Sequence, residues 1–345
     1  MVRDAQRPFA VNRTAKTLIS FKQTVRSLTA GHFWLRYPTL AAYRALCAGT
    51  SSVTGLTTSG AAHAERSIED AVHYIATVFN NYKVAAGVAR FQGKIAEIGP
   101  GDSCGIGLMF LADGCDQVDL VDRFFSARDV RQQAVINREL VRRLPRLEPL
   151  LLDGNFSETS FKSLTRHYGE SAAAETFFEA HRGYDFIVSC AVLEHVYDPL
   201  RAMKAAATAL NHGGMMLHQI DCRDHGQFST TFHELKFLEL PQAMYAPLKW
   251  GGGPNRIRLS SYRKVLQEQQ LKYTVYATSL AGVPELLPHD TEISRIPAPL
   301  LDISHRYISQ VRGRLAKPFR DMSDEDLMIT SFMIAAKKTN HTDSH

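Results

Sequence analysis

The sequence has few cysteines and no long apolar segment. Its five cysteines are an odd number and no two form a Cys-x-x-Cys pair. A full disulfide framework is therefore excluded by parity, and zinc knuckles and thioredoxin-type sites lack their spacing. No apolar run reaches the ~18 residues that span a bilayer, and no secretory apolar region follows the first residues. We expect a soluble, cytoplasmic protein with reduced thiols.

Acidic residues are almost absent from residues 1–50, where eight Lys and Arg residues stand against Asp4 alone. A basic segment of this kind can contact phosphates or an acidic partner, or form a solvated helix face. Apolar residues recur at intervals of three and four over 11–30, which favours an amphipathic helix. We expect that helix to pack on the rest of the chain or on a second subunit of a homodimer.

The pattern of the chain changes near residue 93. Before it, the apolar spacing predicts helices over 11–30 and 64–89, with a Ser-, Thr- and Gly-rich loop at 49–60 between them. After it, short apolar runs alternate with helical segments, which is typical of crossover connections and a parallel sheet. The predicted strands are 94–98, 117–121, 147–152, 184–189, 215–220, 272–280 and 326–336.

We therefore predict a doubly wound α/β fold. A helical N-terminal extension covers residues 1–92, and the α/β domain covers 93–345 with an insertion at about 226–256. The extension and the insertion are expected to cover a pocket at the carboxyl edge of the sheet, because open α/β sheets bind ligands there.

The most informative motif is Ala96-Glu-Ile-Gly-Pro-Gly-Asp-Ser103, at the end of the first predicted strand. Gly99 and Gly101 let the backbone turn sharply and approach a ligand. The next glycine is Gly105, one residue later than in the GxGxxG pattern of dinucleotide-binding folds. A carboxylate at Glu97 would repel a pyrophosphate, whereas it suits a cationic ligand. The motif thus disfavours an NAD(P)-dependent Rossmann protein.

Together these features resemble the class I S-adenosylmethionine-dependent methyltransferases of the small-molecule, bacterial-like type. The resemblance rests on Glu-x-Gly-x-Gly after strand one, the acidic ends of strands two and three, Tyr184–Val196 around strand four and Leu210–Leu217 before strand five. It covers residues 93–220 closely and 272–336 loosely, and Ser103 stands where the family often has a third glycine. It implies a Rossmann-like, seven-stranded sheet in the order 3-2-1-4-5-7-6, with S-adenosylmethionine as the cofactor.

The resemblance also implies roles for particular residues. The Gly99–Gly101 turn would pack against the methionine part of the cofactor, oriented by Glu97. Asp122 would accept both ribose hydroxyls, because a carboxylate at a strand end can bind a vicinal diol. Asp153 would accept the adenine amino group. The other implied cofactor contacts are Gly154 and Asn155 beside the adenine ring, and the backbone of Ser189 and Cys190 at the methionine amine.

The residues after strands four and five are candidates for catalysis. In some relatives a His at the place of His195 is the general base, with an Asp after strand five beside it, which here would be Asp221. His225 is a second candidate base. A neutral imidazole near pH 7 can remove a hydroxyl or ammonium proton.

The same place binds a divalent ion in some methyltransferases, through a Glu-x-x-Glu-His sequence. The first Glu would be at position 191, which is Ala191 here. We therefore predict no metal site, although Glu194, His195 and Asp221 or His225 could still chelate an ion.

The predicted reaction is methyl transfer to a small acceptor, with a hydroxyl of a sugar or natural product as first choice because a base is at hand. An amine or guanidine of an amino-acid-like acceptor is the alternative, with Asp221, Asp224 and Glu194 supplying negative charge. A nucleic-acid methyltransferase or binding module that uses the basic N-terminus is disfavoured. The sequence has no basic stripe with interleaved aromatics and no Asn/Asp-Pro-Pro-Tyr/Phe motif.

Overall fold

The centre of the computed structural model is a seven-stranded sheet. The structure describes residues 33–54, 56–57, 63, 66–126, 128–228, 234–249 and 252–339. The strands are β1 (Gly93–Ile98), β2 (Cys115–Asp122), β3 (Leu164–Tyr168), β4 (Tyr184–Cys190), β5 (Leu210–Asp221), β6 (Lys272–Leu280) and β7 (Ile329–Lys337). They lie in the order β3-β2-β1-β4-β5-β7-β6, and β7 runs antiparallel to both of its neighbours. The predicted order 3-2-1-4-5-7-6 is confirmed.

Helices cover both faces of the sheet. The α-helices of the described residues are α1 (Phe33–Thr54), α2 (Ile68–Ala86), α3 (Gly105–Asp113), α4 (Val130–Arg143), α5 (Ala174–Ala180), α6 (Pro199–Ala209), α7 (Gln242–Lys249), α8 (Leu259–Glu268), α9 (Ala298–Val311), α10 (Lys317–Arg320) and α11 (Asp324–Met328). In β1, Ile95 joins a core with α2, α3 and α4, whereas Ala96 joins the core on the other face with α5, α6 and α8. Burial on both faces explains the continuous apolar runs of the parallel strands. None of the described helices is long and apolar enough to span a membrane.

The predicted N-terminal helices are found in part. The segment 11–30 lies outside the described residues, and the helix predicted over 64–89 is α2, whose buried Ile75 and Phe79 belong to the core of the sheet. The loop predicted at 49–60 is wrong over its first residues, because α1 continues to Thr54. Ser and Thr cost a helix only modestly, so a helix already formed extends through them.

The third predicted strand, 147–152, is wrong. Residues Pro145–Leu150 form a 3₁₀ helix, because Pro145 and Pro149 cannot donate hydrogen bonds to a strand ladder. The third strand is β3, which pairs in parallel with β2. Its sequence Leu-Thr-Arg-His-Tyr is mostly polar, and that hid it from a search for apolar runs.

Helix α1 packs on the segment between β5 and α8. Tyr37 and Leu40 of α1 contact a buried cluster that includes Phe237 and Tyr245. The Tyr37 hydroxyl donates to the carbonyl of Met244 at 2.8 Å. Arg36 of α1 likewise donates to a carbonyl after β5, that of Gly226, at 2.6 Å. The described parts of the extension and of the insertion therefore form one covering layer.

Candidate active site

A cavity of about 270 Å³ lies at the carboxyl ends of β1, β2 and β4. Its walls include Glu97 to Gly101 after β1, Val121 to Phe124 after β2, and Cys190 to Val192 with His195 to Tyr197 after β4. Ala48 of α1 and Gly252 of the insertion close it from above. The cavity is therefore at the edge where a parallel sheet binds ligands, beneath the predicted cover.

The glycine turn forms one wall of the cavity. Gly99 and Gly101 have φ of +70° and +65°, a region that side chains with a Cβ rarely adopt. A Cβ on Gly99 would also lie 2.4 Å from the Val192 side chain. The Gly99 N–H donates to the Val121 carbonyl at 2.8 Å, and Arg166 donates to the Gly101 carbonyl at 2.8 Å. The turn is thus tied to the neighbouring strands and brings bare backbone to the cavity.

Glu97 lies at the end of β1 and lines the cavity, although only 4% of its surface is exposed. Among the described residues no donor reaches its Oε2 atom. Burial raises the pKa of Glu97 to about 8, and the charge of Arg166 opposes that shift. A buried carboxyl with an unpartnered oxygen costs free energy unless a ligand satisfies it. The position therefore suits a positively charged ligand group.

Asp122 ends β2 and also lines the cavity. Its Oδ1 accepts a hydrogen bond from the Phe124 N–H at 3.1 Å, which fixes the orientation of the carboxylate. Burial raises its pKa, while the Phe124 amide, Arg166 and Arg128 oppose the shift. The predicted pair of Asp122 and the glycine turn is therefore brought together in one cavity.

The predicted adenine residues Asp153, Gly154 and Asn155 lie elsewhere. They are exposed, and none of them lines the cavity. The Asp153 carboxylate instead accepts from the Asn155 N–H at 3.0 Å within its own loop. The assignment depended on a third strand ending at Asp153, and that strand does not exist, so the assignment is corrected.

The chain after the real third strand supplies cavity residues that the sequence analysis missed. Ala174 and Glu175 at the start of α5 line the cavity, as does Arg123 after β2. Arg123 forms an ion pair with Glu175 at 3.4 Å and with Glu170 at 2.5 Å. The available signal was Gly169, which follows β3 with a φ of +101°.

Two further cavity residues come from the N-terminal side of the glycine turn. His63 and Tyr74 both line the cavity, with ring centroids 5.5 Å apart. The Arg66 guanidinium lies 3.9 Å from the centre of the Tyr74 ring. No spacing rule links these residues to the glycine motif, so the sequence gave no signal for them.

The two predicted residues at the end of β4 separate. Cys190 lines the cavity, and burial raises the pKa of its thiol to about 12. Ser189 is fully buried and is not among the lining residues. Its hydroxyl lies 2.8 Å from Nδ1 of His218 on β5, so its side chain holds two strands together.

The polar groups after β4 and β5 meet at the other end of the cavity. The rings of His195 and His225 are 5.1 Å apart, edge to face. Asp221 was predicted to be the partner of His195, but its carboxylate accepts two hydrogen bonds from Arg223, at 2.8 and 2.7 Å. The His225 Nε2 lies 3.5 Å from the same carboxylate. Asp221 thus orients Arg223 and His225, and not His195.

His195 lines the cavity with a neutral ring. Burial, together with the charges of His225 and Arg44, lowers its pKa to about 3. The Gly252 backbone accepts a hydrogen bond from the ring, while Nδ1 has no partner among the described residues. An imidazole in this state presents a lone pair and is a weak base.

Glu194 lies beside the two histidines and is 1% exposed. Neither carboxyl oxygen has a hydrogen-bond partner among the described residues. Burial raises its pKa well above the usual range, and repulsion from Asp221 adds to the shift. One potential ligand atom from each of Glu194, His195 and His225 lies within 4.8 Å of the others.

A doubly wound sheet with a glycine turn, an acidic second strand end and a closed cavity defines a Rossmann-like methyltransferase. A family model described as "Methyltransferase domain" matches residues 63–275. The chain belongs to this family of class I S-adenosylmethionine-dependent methyltransferases, and S-adenosylmethionine is its cofactor.

Solved structures that resemble the chain include three methyltransferase-like folds. YcgJ from Bacillus subtilis is 14% identical, with 78% of this chain and 99% of that chain covered and a TM-score of 0.39. Haemonchus contortus phosphoethanolamine N-methyltransferase 2 with S-adenosylmethionine is 15% identical, with 79% and 53% covered and a TM-score of 0.39. An Archaeoglobus fulgidus SAM-dependent methyltransferase is 9% identical, with 80% and 96% covered and a TM-score of 0.40. No curated protein matches the chain in sequence. At these similarities the structures carry no argument about the acceptor.

Proposed function

We propose that this methyltransferase acts on a small molecule and methylates a hydroxyl group, as in a sugar or natural product. The observation that carries the proposal is the neutral His195, whose unpartnered Nδ1 lines a closed cavity that also holds the glycine turn. A cavity of about 270 Å³ suits small ligands. Its cover of α1 and the insertion leaves no open groove for a polymer among the described residues.

The residues at the β1 and β2 ends fit the cofactor. When bound, it supplies a methyl group on a sulfonium, which is already a good leaving group. Glu97 would hold its ammonium group through the unpartnered Oε2, and Asp122, fixed by the Phe124 amide, would hold the ribose hydroxyls. Ala174 and Glu175 at the start of α5 replace Asp153 as the residues beside the adenine.

The residues at the β4 end would position the acceptor. The neutral His195 ring accepts a hydrogen bond from the acceptor hydroxyl and so points an oxygen lone pair toward the methyl group. Alignment of reacting atoms can supply a large part of the acceleration. Because the pKa of His195 is about 3, the ring orients the hydroxyl more than it removes its proton. His225 and Asp221 support it from behind the cavity wall.

An amine acceptor is the second candidate, and the observation that favours it is Glu194. Its buried, unpartnered carboxyl beside His195 is the kind of group that holds an ammonium. An amine must lose that proton before it attacks, so this arrangement would bind the acceptor better than it activates it.

A paired acceptor screen tests the proposal. The full chain is incubated with S-adenosylmethionine and two matched libraries, one of sugars and phenolic natural products and one of amino acids and guanidines. We expect formation of S-adenosylhomocysteine and an O-methylated product by mass spectrometry with the first library only. Products from the amine library alone would replace the hydroxyl proposal with the amine one, and a chain that binds no S-adenosylhomocysteine would refute both.

A further inference from the structure

Glu194, His195 and His225 converge from two different loops. Glu194 and His195 follow β4, and His225 follows β5 in a left-handed backbone conformation with φ of +52°. Their potential ligand atoms lie within 4.8 Å of one another. A non-glycine residue at positive φ costs free energy and is kept where the surroundings require it. Here the turn places the His225 ring 5.1 Å from that of His195.

The first two residues are buried without partners. Both Glu194 oxygens and Nδ1 of His195 lack hydrogen-bond partners among the described residues. The backbone N–H groups of Glu194 and Asp221 give the carboxylate electrostatic support without reaching hydrogen-bond geometry. Several unsatisfied acceptors in one buried place are costly, and a shared cation would satisfy them together.

The surroundings of His225 are those of a metal ligand. Its Nε2 is 3.3 Å from the Asp221 carbonyl and 3.5 Å from the Asp221 carboxylate. Arg223 holds that carboxylate in place with two hydrogen bonds. Histidine ligands usually donate their other ring N–H to a carboxylate or carbonyl in this way, which orients the ring and fixes the tautomer.

We propose that Glu194, His195 and His225 bind one divalent transition-metal ion of the zinc type. Two imidazoles and one carboxylate are a ligand set that zinc uses in catalytic sites, whereas magnesium and calcium prefer oxygen alone. Tetrahedral ligand atoms stand about 3.3 Å apart at zinc–ligand distances of ~2.0 Å. Binding would therefore draw these atoms together by about 1 Å or slightly more. The proposal revises the sequence-based expectation of no metal site.

Three protein ligands leave a coordination position open. Since His195 lines the cavity, that position would take an oxygen of the acceptor. In this respect alone the inference rests on the proposed function, and it narrows the acceptor to compounds with an oxygen at the methylated end. His195 would then position the acceptor through the ion and not by a direct hydrogen bond.

Metal titration of the full, untagged chain tests the site without any methyl transfer. After dialysis against a chelator, the protein is titrated with Zn²⁺ by calorimetry and with Co²⁺ by visible absorption. We expect one ion per chain. Glu194→Gln and His225→Ala should each weaken binding by about 100-fold or more, and Asp221→Asn by about 10-fold, since outer ligands matter less. The control His73→Ala removes an exposed histidine on α2 and should bind as the parent does.

Binding of S-adenosylhomocysteine, measured on every variant, reports whether each is folded and separates the two hypotheses. A parent chain that binds S-adenosylhomocysteine but no Zn²⁺ or Co²⁺ would overturn the metal site and leave the methyltransferase assignment intact. Ion binding that is equally strong in His225→Ala would place the ion elsewhere and also overturn it. If Glu194→Gln does not fold, His225→Ala decides alone, because its side chain is partly exposed.

Discussion

The two ends of the cavity are built differently. The cofactor end consists of short continuous segments, Glu97–Gly101 and Val121–Phe124, each directly after a strand. The acceptor end draws single residues from α1, from the chain after β4 and from the insertion, namely Ala48, His195 and Gly252. The first is specified by the local order of the chain, whereas the second depends on how distant segments pack.

Their polar groups also differ. At the cofactor end the turn carbonyls and one oxygen of Asp122 already have protein partners. At the acceptor end Glu194 and Nδ1 of His195 have none among the described residues. A satisfied site is preorganised for its ligand, while an unsatisfied one is completed by what it binds. The comparison suggests that the cofactor end tolerates fewer changes in backbone shape and the acceptor end fewer changes in charge.

The largest effect is expected at the glycine turn. Gly99→Ala places a Cβ 2.4 Å from Val192 at a φ of +70°, so the turn must shift. We expect binding of S-adenosylhomocysteine, measured by calorimetry, to fall by at least about 100-fold, which corresponds to ~2.7 kcal/mol.

Gly154→Ala is a matched control, because Gly154 has the same φ and no atom within 4 Å of an added Cβ. It should cost about 1 kcal/mol of folding stability and leave the affinity unchanged. Equal loss of binding in both variants would mean that strain, and not the turn's closeness to the ligand, sets the effect.

The second effect tests the acceptor end. His195→Ala should reduce turnover by about 10²-fold while the affinity for S-adenosylhomocysteine stays the same, because His195 lies away from the glycine turn. Steady-state turnover and calorimetry on the same preparation measure the two quantities. Full turnover in this variant would remove His195 from the reaction and erase the division between the two ends.

The third effect lies within the cofactor end. Asp122→Ala should weaken binding of S-adenosylhomocysteine by about 1.5–3 kcal/mol, the cost of losing charge-assisted hydrogen bonds to the ribose. Asp153→Ala should change nothing, since that carboxylate is exposed and outside the cavity. A loss in the second variant as large as in the first would restore the adenine role that the structure removes.

The smallest effect is a proton. The pKa of Glu97 is about 8 in the protein without ligand, so the group is mostly protonated at pH 7. An ammonium group beside it favours the charged form and lowers that pKa. Affinity for S-adenosylhomocysteine should therefore rise as the pH increases from about 6 to 8, with release of up to one proton per site at pH 7.

Calorimetry in two buffers of different ionisation enthalpy measures that proton. Glu97→Gln should release none and should lose the pH dependence. Proton release that persists in this variant would assign the titration to another group.

Much of the fold was predictable because the parallel strands are buried on both faces. β1, β2 and β4 are apolar runs that end at Gly, Asp or polar residues, and their order follows from the resemblance. β3 was not predictable in this way, since His167 and Arg166 use their polar ends for ion pairs with Asp119 and Glu158. Local pattern shows burial, not pairing between distant charged residues.

The site divides along the same line. Glu97, Gly99, Gly101 and Asp122 were predicted and do line one cavity. The error at Asp153 followed directly from the misplaced strand. His63 and Tyr74 reach the cavity only through the packing of the chain before β1, and no residue spacing within the sequence encodes that contact.

The layer formed by α1 and the insertion has a kinetic consequence. Arg36 and Tyr37 tie α1 to the carbonyls of Gly226 and Met244, and Ala48 and Gly252 close the cavity between them. Each catalytic cycle must admit one pair of molecules and discharge another through this layer. Opening it breaks those two hydrogen bonds and exposes the apolar contacts of Leu40. The time that a product stays bound is therefore set by residues that never touch the methyl group.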